Sequence, residues 1–346
     1  MSNVYFIPVK SYSNIDAISD AGRKLLETVI EKEDVKLNSK IPLKVHFGEA
    51  GNVTFIEPNN FDGIIDYLEE NEIESFFTDT NVLYRSPRTK RDTHMELAKE
   101  HGFTRLPVVI ADGDHGEEYD DIEIDKKHFK TCKIGKEFSK YDQMIVLAHF
   151  KGHAMAGFGG AIKQLAMGCA ARGGKLAQHS NSTPEIKQSV CTKCQTCVNN
   201  CPEDAITMED YPVIDKDKCI GCAACIAVCP VGAVKVPWGG GAVEEFKERL
   251  AEYAYAAQKD KRNIYITFAF NLTSKCDCAG EKMKPIARDI GVFASTDPVA
   301  LDQACMDLTD QIEKREVFEG RQAIEYGESI GLGSTDYELI EVEPGK

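Results

Sequence analysis

One cysteine pattern is written twice in this chain. CTKCQTCVNNCP places Cys191, Cys194, Cys197 and Cys201 ahead of Pro202, and CIGCAACIAVCP places Cys219, Cys222, Cys225 and Cys229 ahead of Pro230. Each run is C-x2-C-x2-C-x3-C-P, a spacing that suits a cube of four irons and four sulfides. Three thiolates two residues apart wrap one face of such a cube and turn backbone N–H groups toward its sulfides. The fourth thiolate points away, and the proline stops the local turn, so this sulfur reaches the neighbouring cube. The pattern therefore predicts two [4Fe–4S] clusters with crossed ligands. Cys191, Cys194, Cys197 and Cys229 hold one, and Cys219, Cys222, Cys225 and Cys201 hold the other. A zinc ribbon would need two C-x2-C pairs, not two complete four-cysteine runs with terminal prolines.

The remaining cysteines bear on the compartment. The chain has 13 cysteines, and its first residues, MSNVYFIPVKSYSN, do not read as a charged start followed by a long apolar stretch. That usage argues for metal ligation in a reducing cytoplasm, as in an anaerobe, and against a disulfide framework. No apolar run approaches the roughly 20 residues that span a bilayer, so no membrane partner is expected. The formal charge of -15 makes nucleic acid an unlikely partner, since phosphate backbones demand basic patches. It suits solubility or docking to a basic redox protein.

Around the cysteine runs the hydropathy pattern alternates. VYFIPV, PLKVHF, VTFIEP, IESFFTD, LPVVIAD and QMIVLAHF read as strands in the first 150 residues. Between them, Ile15 to Ile30 and Phe61 to Leu68 carry helical apolar spacing, with Asn60 as the expected cap of the second, and Thr93–His101 reads as a further helix. After the runs come a helix over 243–258, the strands NIYITFAF and DIGVFAS, a helix opened by Asp297-Pro298, and a last strand, YELIEVE. The expected fold is α/β, a mostly parallel sheet with helices on both faces, interrupted by a small α+β ferredoxin-like two-cluster insert. The expected division is 1–185 for the first part of the α/β domain, 186–238 for the insert and 239–346 for the return. HSNSTPE and PWGGG have linker composition at its edges. Ile206, Val213, Ile220, Ile226 and Val234 are the expected apolar shell of the clusters.

Ligands of open parallel sheets bind beyond the carboxyl ends of strands. Asp79, Asp112, His149 to His153 and Asn271 fall at such ends, and their convergence predicts a pocket; any one alone could equally be a cap or loop residue. Gly157, Gly159 and Gly160 precede a helix carrying Lys163, which is either an anion site or a plain tight turn. Arg85, Arg88, Lys90, Arg91 and His94 form a basic stretch that could bind a small anionic ligand or simply face solvent. Cys276 and Cys278, in a loop after NIYITFAF, are either a third metal site, a redox pair or unliganded thiols. His179 lies in the linker ahead of the clusters. Cys169 and Cys305 read as packing residues, and Cys132 carries no signal. If the α/β domain is an enzyme centre, His153, Lys163, Cys276 and Cys278 are the candidates. The competing readings are an electron carrier or adaptor without chemistry of its own, and a sensor or maturation factor. No G-x-S-x-G or H-E-x-x-H motif favours a hydrolase.

DTNVLYRSPR, HFKGHAMAGFGGAIKQLAMGCAARGGK, the double cysteine motif, CDC and DIGVFASTDPVALDQA together resemble domain of unknown function 362, in its form with an inserted ferredoxin. The resemblance spans nearly the whole chain. It implies an α/β domain with an iron–sulfur insert and brings no substrate with it.

Overall fold

The computed structural model describes residues 1–179, 183–236 and 243–344. Eight strands form one sheet: β1 (Ser2–Pro8), β2 (Lys40–Lys44), β3 (Glu74–Asp79), β4 (Val108–Ile110), β5 (Ile145–His149), β6 (Ile264–Ala269), β7 (Gly291–Ser295) and β8 (Tyr337–Glu341). Their order across the sheet is β8-β1-β7-β6-β5-β2-β3-β4. All pairings are parallel except those of β7, which runs against both β1 and β6. Helices α1 (Ile15–Lys32), α2 (Asp62–Glu70) and α3 (Arg91–Glu100) precede β5. Helices α4 (Ala161–Cys169), α5 (Arg172–His179), α6 (Val243–Gln258), α7 (Pro298–Glu313) and α8 (Arg321–Ser329) follow it.

Strand periodicity explains why the sheet is covered twice. Successive side chains point to opposite faces, and here both faces are apolar. Tyr5, Ile7, Leu147, Ile266 and Phe268 enter one core with Leu25 and Ile64 of α1 and α2. Val4, Phe6, Val146, Tyr265 and Phe293 enter the other with residues of α4, α6 and α7. The mixed α/β architecture with helices on both faces is thus the expected one.

Two local expectations fail. VTFIEP is not a strand but a loop running into a 3-10 turn at Pro58–Phe61, since Pro58 donates no hydrogen bond and starts the turn instead. Asn60 lies inside that turn, so the residue capping α2 is Phe61, and no side chain caps it. The Asp297 cap is present: its carboxylate accepts from the N–H groups of Val299 (2.8 Å) and Ala300 (3.1 Å). One hairpin, Tyr119–Glu123 with Thr131–Gly135, carries no strong alternation in the sequence.

Residues 185–235 stand apart from the large sheet. Glu185–Ile186 pairs antiparallel with Val234–Lys235, and Ile206–Met208 pairs with Pro212–Ile214. Two short helices, Thr196–Asn199 and Ala224–Val228, complete this segment. The linker motifs fall partly, and the boundary at 238 wholly, outside the described residues. Among the described residues no helix is long and apolar enough to cross a membrane.

Candidate functional site: two thiol-ringed cavities and a pocket at the sheet edge

The cysteine repeat folds as a repeat. Lys193, Gln195 and Asp204 have left-handed backbones, and so do Gly221, Ala223 and Gly232, their counterparts 28 positions on. Left-handed residues set among right-handed ones turn consecutive N–H groups into one concavity, which favours anions and iron–sulfur groups. The N–H of Lys193 donates to Cys191 Sγ at 3.4 Å. Those of Ala205 and Ala233 donate to Cys201 Sγ (3.2 Å) and Cys229 Sγ (3.1 Å). The apolar contacts repeat too: Cys197, Ile206, Cys225 and Val234 are buried together, with Ile186, Ile214 and Ile226 against them. Val213 and Ile220 are not part of that core; they are 44% and 41% exposed. Strand alternation turns Ile214, not Val213, inward.

Two cavities lie between the halves of the repeat. One is lined by Cys191, Cys194, Cys197 and Cys229. The other is lined by Cys201, Cys219, Cys222 and Cys225. These are the two crossed sets that the spacing predicts. Among the described residues no group of three or more His, Cys, Asp or Glu is gathered to hold a metal ion. The all-thiol donor sets and the N–H groups directed at their sulfurs fit a cube of iron and sulfide.

The two cavities face different surroundings. In the first set Cys194 is exposed, while no cysteine of the second set is. The second abuts the α/β body: Ala223 and Ile226 pack with Leu83, Leu176 and Val236. Lys133 Nζ donates to the carbonyl of Ile220 at 3.3 Å. Gly173 comes so close that an added Cβ would lie 2.9 Å from the oxygen of Gly221.

Leu83 also lines a third cavity, an open-mouthed space of about 270 Å³ beyond the carboxyl ends of β2 and β3. His46, Arg88, His153, Lys163, Lys175 and Cys278 reach it. Buried ion pairs fix its walls. Asp79 accepts from Arg88 Nη2 at 2.8 Å and from Lys44 Nζ at 3.0 Å. Burial alone would raise its carboxyl, but Lys44 and Arg88 hold it far below the ordinary carboxylate range. Asp277 is held likewise by His149 Nδ1 (2.9 Å) and Lys151 Nζ (3.0 Å). Glu49 accepts from Tyr84 (3.0 Å) and Ser86 (2.7 Å).

Proton positions follow from donors. The N–H of Gly48 donates to His46 Nδ1 at 3.0 Å, while His46 Nε2 lies 3.1 Å from Arg88 Nη1 and 3.3 Å from Cys278 Sγ. The N–H groups of Met155 and Ala156 donate to His153 Nδ1. Burial, with Lys163 beside it, pushes His153 down to about 3, so its ring is neutral. Burial opposes the charge of Lys163, yet Cys276, Cys278 and Asp277 together raise it, and the ammonium is kept. Burial lowers Lys175 to about 8; its Nζ donates to Thr80 Oγ1 and the carbonyl of Asn81, each at 2.5 Å. The Cys276 thiol is lowered to about 5 by a hydrogen bond from Cys278, with Lys163 and Lys151 adding to it against burial. The arrangement supplies cations, a neutral imidazole N–H and a thiolate–thiol pair to one space.

Of the strand-end residues, Asp79 and His153 reach this cavity. His149 lies behind it on Asp277, Asp112 is tied to Asn81, and Asn271 is engaged through its N–H with Asp289. The glycine turn is not a free anion site. The carboxyl oxygens of Asp302, which burial raises to about 7, accept from the N–H groups of Ala161 (2.7 Å) and Ile162 (2.9 Å), so the acceptor at the start of α4 is the chain's own. In the basic stretch only Arg88 and His94 turn inward; Arg91 pairs with Asp114, and Arg85 and Lys90 are exposed. Cys132, Cys169 and Cys305 are buried, and burial raises their thiols. His46 and Glu49 are additions the sequence reading lacks; a polar residue just past PLKV was their one signal.

The sequence profile of the domain of unknown function (DUF362) family matches residues 41–307. No curated protein matches the chain. Two solved structures are similar: a protein from Thermotoga maritima (TM-score 0.44, 13% identity) and the lactate racemase apoprotein from Thermoanaerobacterium thermosaccharolyticum (TM-score 0.42, 11% identity). The matches cover 86% and 90% of this chain but only 59% and 58% of those chains.

Proposed function

The chain belongs to the DUF362 family, and from that premise we propose that it is an iron–sulfur electron-transfer protein. Residues 186–238 are a two-[4Fe–4S] ferredoxin-like insert between the α/β segments 1–185 and 239–346. The observation that carries this reading is the sorting of eight thiols into two four-thiol cavities, each taking one sulfur from the opposite run. Clusters held there supply one-electron chemistry. The residues of the chain tune and insulate it: buried Ile206 and Val234 keep water off, and N–H groups donated to sulfur favour the more negative state.

The surroundings of the cavities give the relay a direction. Electrons enter at the set with exposed Cys194, from an external redox protein. They leave through the set next to Leu83 and Leu176, toward the pocket of Arg88, Lys163 and Cys278. With three cationic side chains on its wall, that pocket suits a small anionic ligand. The chain is then an oxidoreductase component of the cytoplasm.

The test is electron paramagnetic resonance of anaerobically purified, dithionite-reduced protein. Two interacting cluster signals are expected. Cys201→Ser should disturb the same signal as Cys222→Ser, and Cys229→Ser the same as Cys197→Ser. Signals that pair within one run, Cys201 with Cys197, would contradict crossed ligation.

A further inference from the structure

Cys276 and Cys278 are not needed by the two clusters, yet they sit where the relay ends. We propose that they form a reversible dithiol–disulfide couple, the two-electron terminus of that relay; this rests on the electron-transfer reading above. Three observations on geometry carry it. The N–H of Ala279 donates to the carbonyl of Cys276 at 2.9 Å, closing a turn that brings the two cysteines together. Cys276 is buried and Cys278, two residues on, lines the cavity, so both sulfurs lie on one short loop at its wall. Asp277 between them is clamped by His149 and Lys151, so the loop is fixed while both sulfurs stay free of it.

Asp277 is occupied by its two cations, so it does not compete for what the sulfurs bind or form. Two thiols two residues apart on one turn are set up for sulfur–sulfur chemistry. The surroundings favour both ends of it. Lys163 and Lys151 stabilise Cys276 as the thiolate, which makes it the better leaving sulfur. Cys278 faces the cavity, with His46 Nε2 3.3 Å from its Sγ.

The step balances. The Cys276–Cys278 sulfur–sulfur bond breaks on uptake of two electrons and one proton. The products are the Cys276 thiolate and the Cys278 thiol, with the proton on Cys278 Sγ. Each cluster supplies one electron at a time, and an external one-electron donor refills it. The way in runs from the Cys222 and Cys225 cavity through Ala223, Ile226 and Leu83 to the cavity wall.

The experiment uses full-length, cluster-loaded protein poised anaerobically in dithiothreitol redox buffers, then alkylated, digested and weighed. The peptide holding both cysteines should pass reversibly to a form lighter by two hydrogens that resists alkylation. Reduced methyl viologen should reopen it in the wild type. In Cys225→Ser, which loses the cluster nearer the cavity, reopening should slow at least tenfold. If the lighter peptide never forms while cluster iron is intact, the proposal falls and the electron-transfer reading stands. Equal reopening rates in both proteins would remove the couple from the relay. Should wild-type protein bind no iron, the underlying reading falls first.

Discussion

The eight-stranded sheet and residues 185–235 differ in what holds them. The sheet is closed by two apolar layers, each built from strand residues of alternate parity and the helices over them. Apart from alanines, the small segment buries four apolar side chains in its core, and two of those are cysteines, Cys197 and Cys225. So little carbon cannot offset the ordering of some fifty residues, each costing about 1–2 kcal/mol of backbone entropy. The sheet can therefore fold on hydrophobic burial, whereas the segment depends on what its thiols bind. Polar groups divide the same way. In the sheet domain they are satisfied by each other, as Asp79 is by Lys44 and Arg88. In the segment, backbone N–H groups are aimed at the sulfurs of Cys191, Cys201 and Cys229.

Iron removal is the strongest way to break this comparison. Chelation under reducing conditions should abolish hydrogen-exchange protection across 185–235 and leave β5, β6 and their neighbours protected. A segment that stays protected without iron would mean that its own packing suffices. Next in size is Asp79→Asn. It strands the buried charges of Arg88 and Lys44 and should cost about 3–5 kcal/mol in urea unfolding of the sheet domain, with cluster iron unchanged. Ile206→Ala should cost about 2 kcal/mol and show itself as faster iron loss, because Ile206 and Val234 are the two aliphatic side chains buried with Cys197 and Cys225.

A smaller effect comes from acidity. The Cys276 thiol titrates near 5 in the folded chain against an ordinary 9.0, held down first by Cys278 and then by Lys163 and Lys151. Between those values the unfolded chain binds a proton that the folded one does not. The thiolate's contribution is thus full above pH 9 and is lost as pH falls toward 5. The stability difference between wild type and Cys276→Ser, measured under reducing conditions, should shrink steadily from pH 9 to pH 5. A constant difference would contradict the thiolate. Smallest of all is Val213→Ser, expected within about 0.5 kcal/mol, because Val213 is 44% exposed.

Much of this was legible in sequence where one physical signal dominates. The cysteine spacing and its prolines are local chain geometry, so the two thiol sets could be assigned before any fold was known. Continuous apolar runs such as QMIVLAHF and NIYITFAF marked strands covered on both faces. What was hidden depends on tertiary partners. GFGG before α4 looks like an anion loop until Asp302, remote in sequence, closes it. Val213 and Ile214 are equally apolar, and only pairing with Ile206–Met208 decides which faces inward. His46 gave no motif, and its role emerges only when the loop with Cys278 returns beside it.

Iron and acid-labile sulfide in protein purified without oxygen test the central claim most directly. The account predicts equal amounts of both, enough for two four-iron clusters per chain, with about half lost in Cys225→Ser. A colourless protein carrying zinc and no sulfide would contradict it.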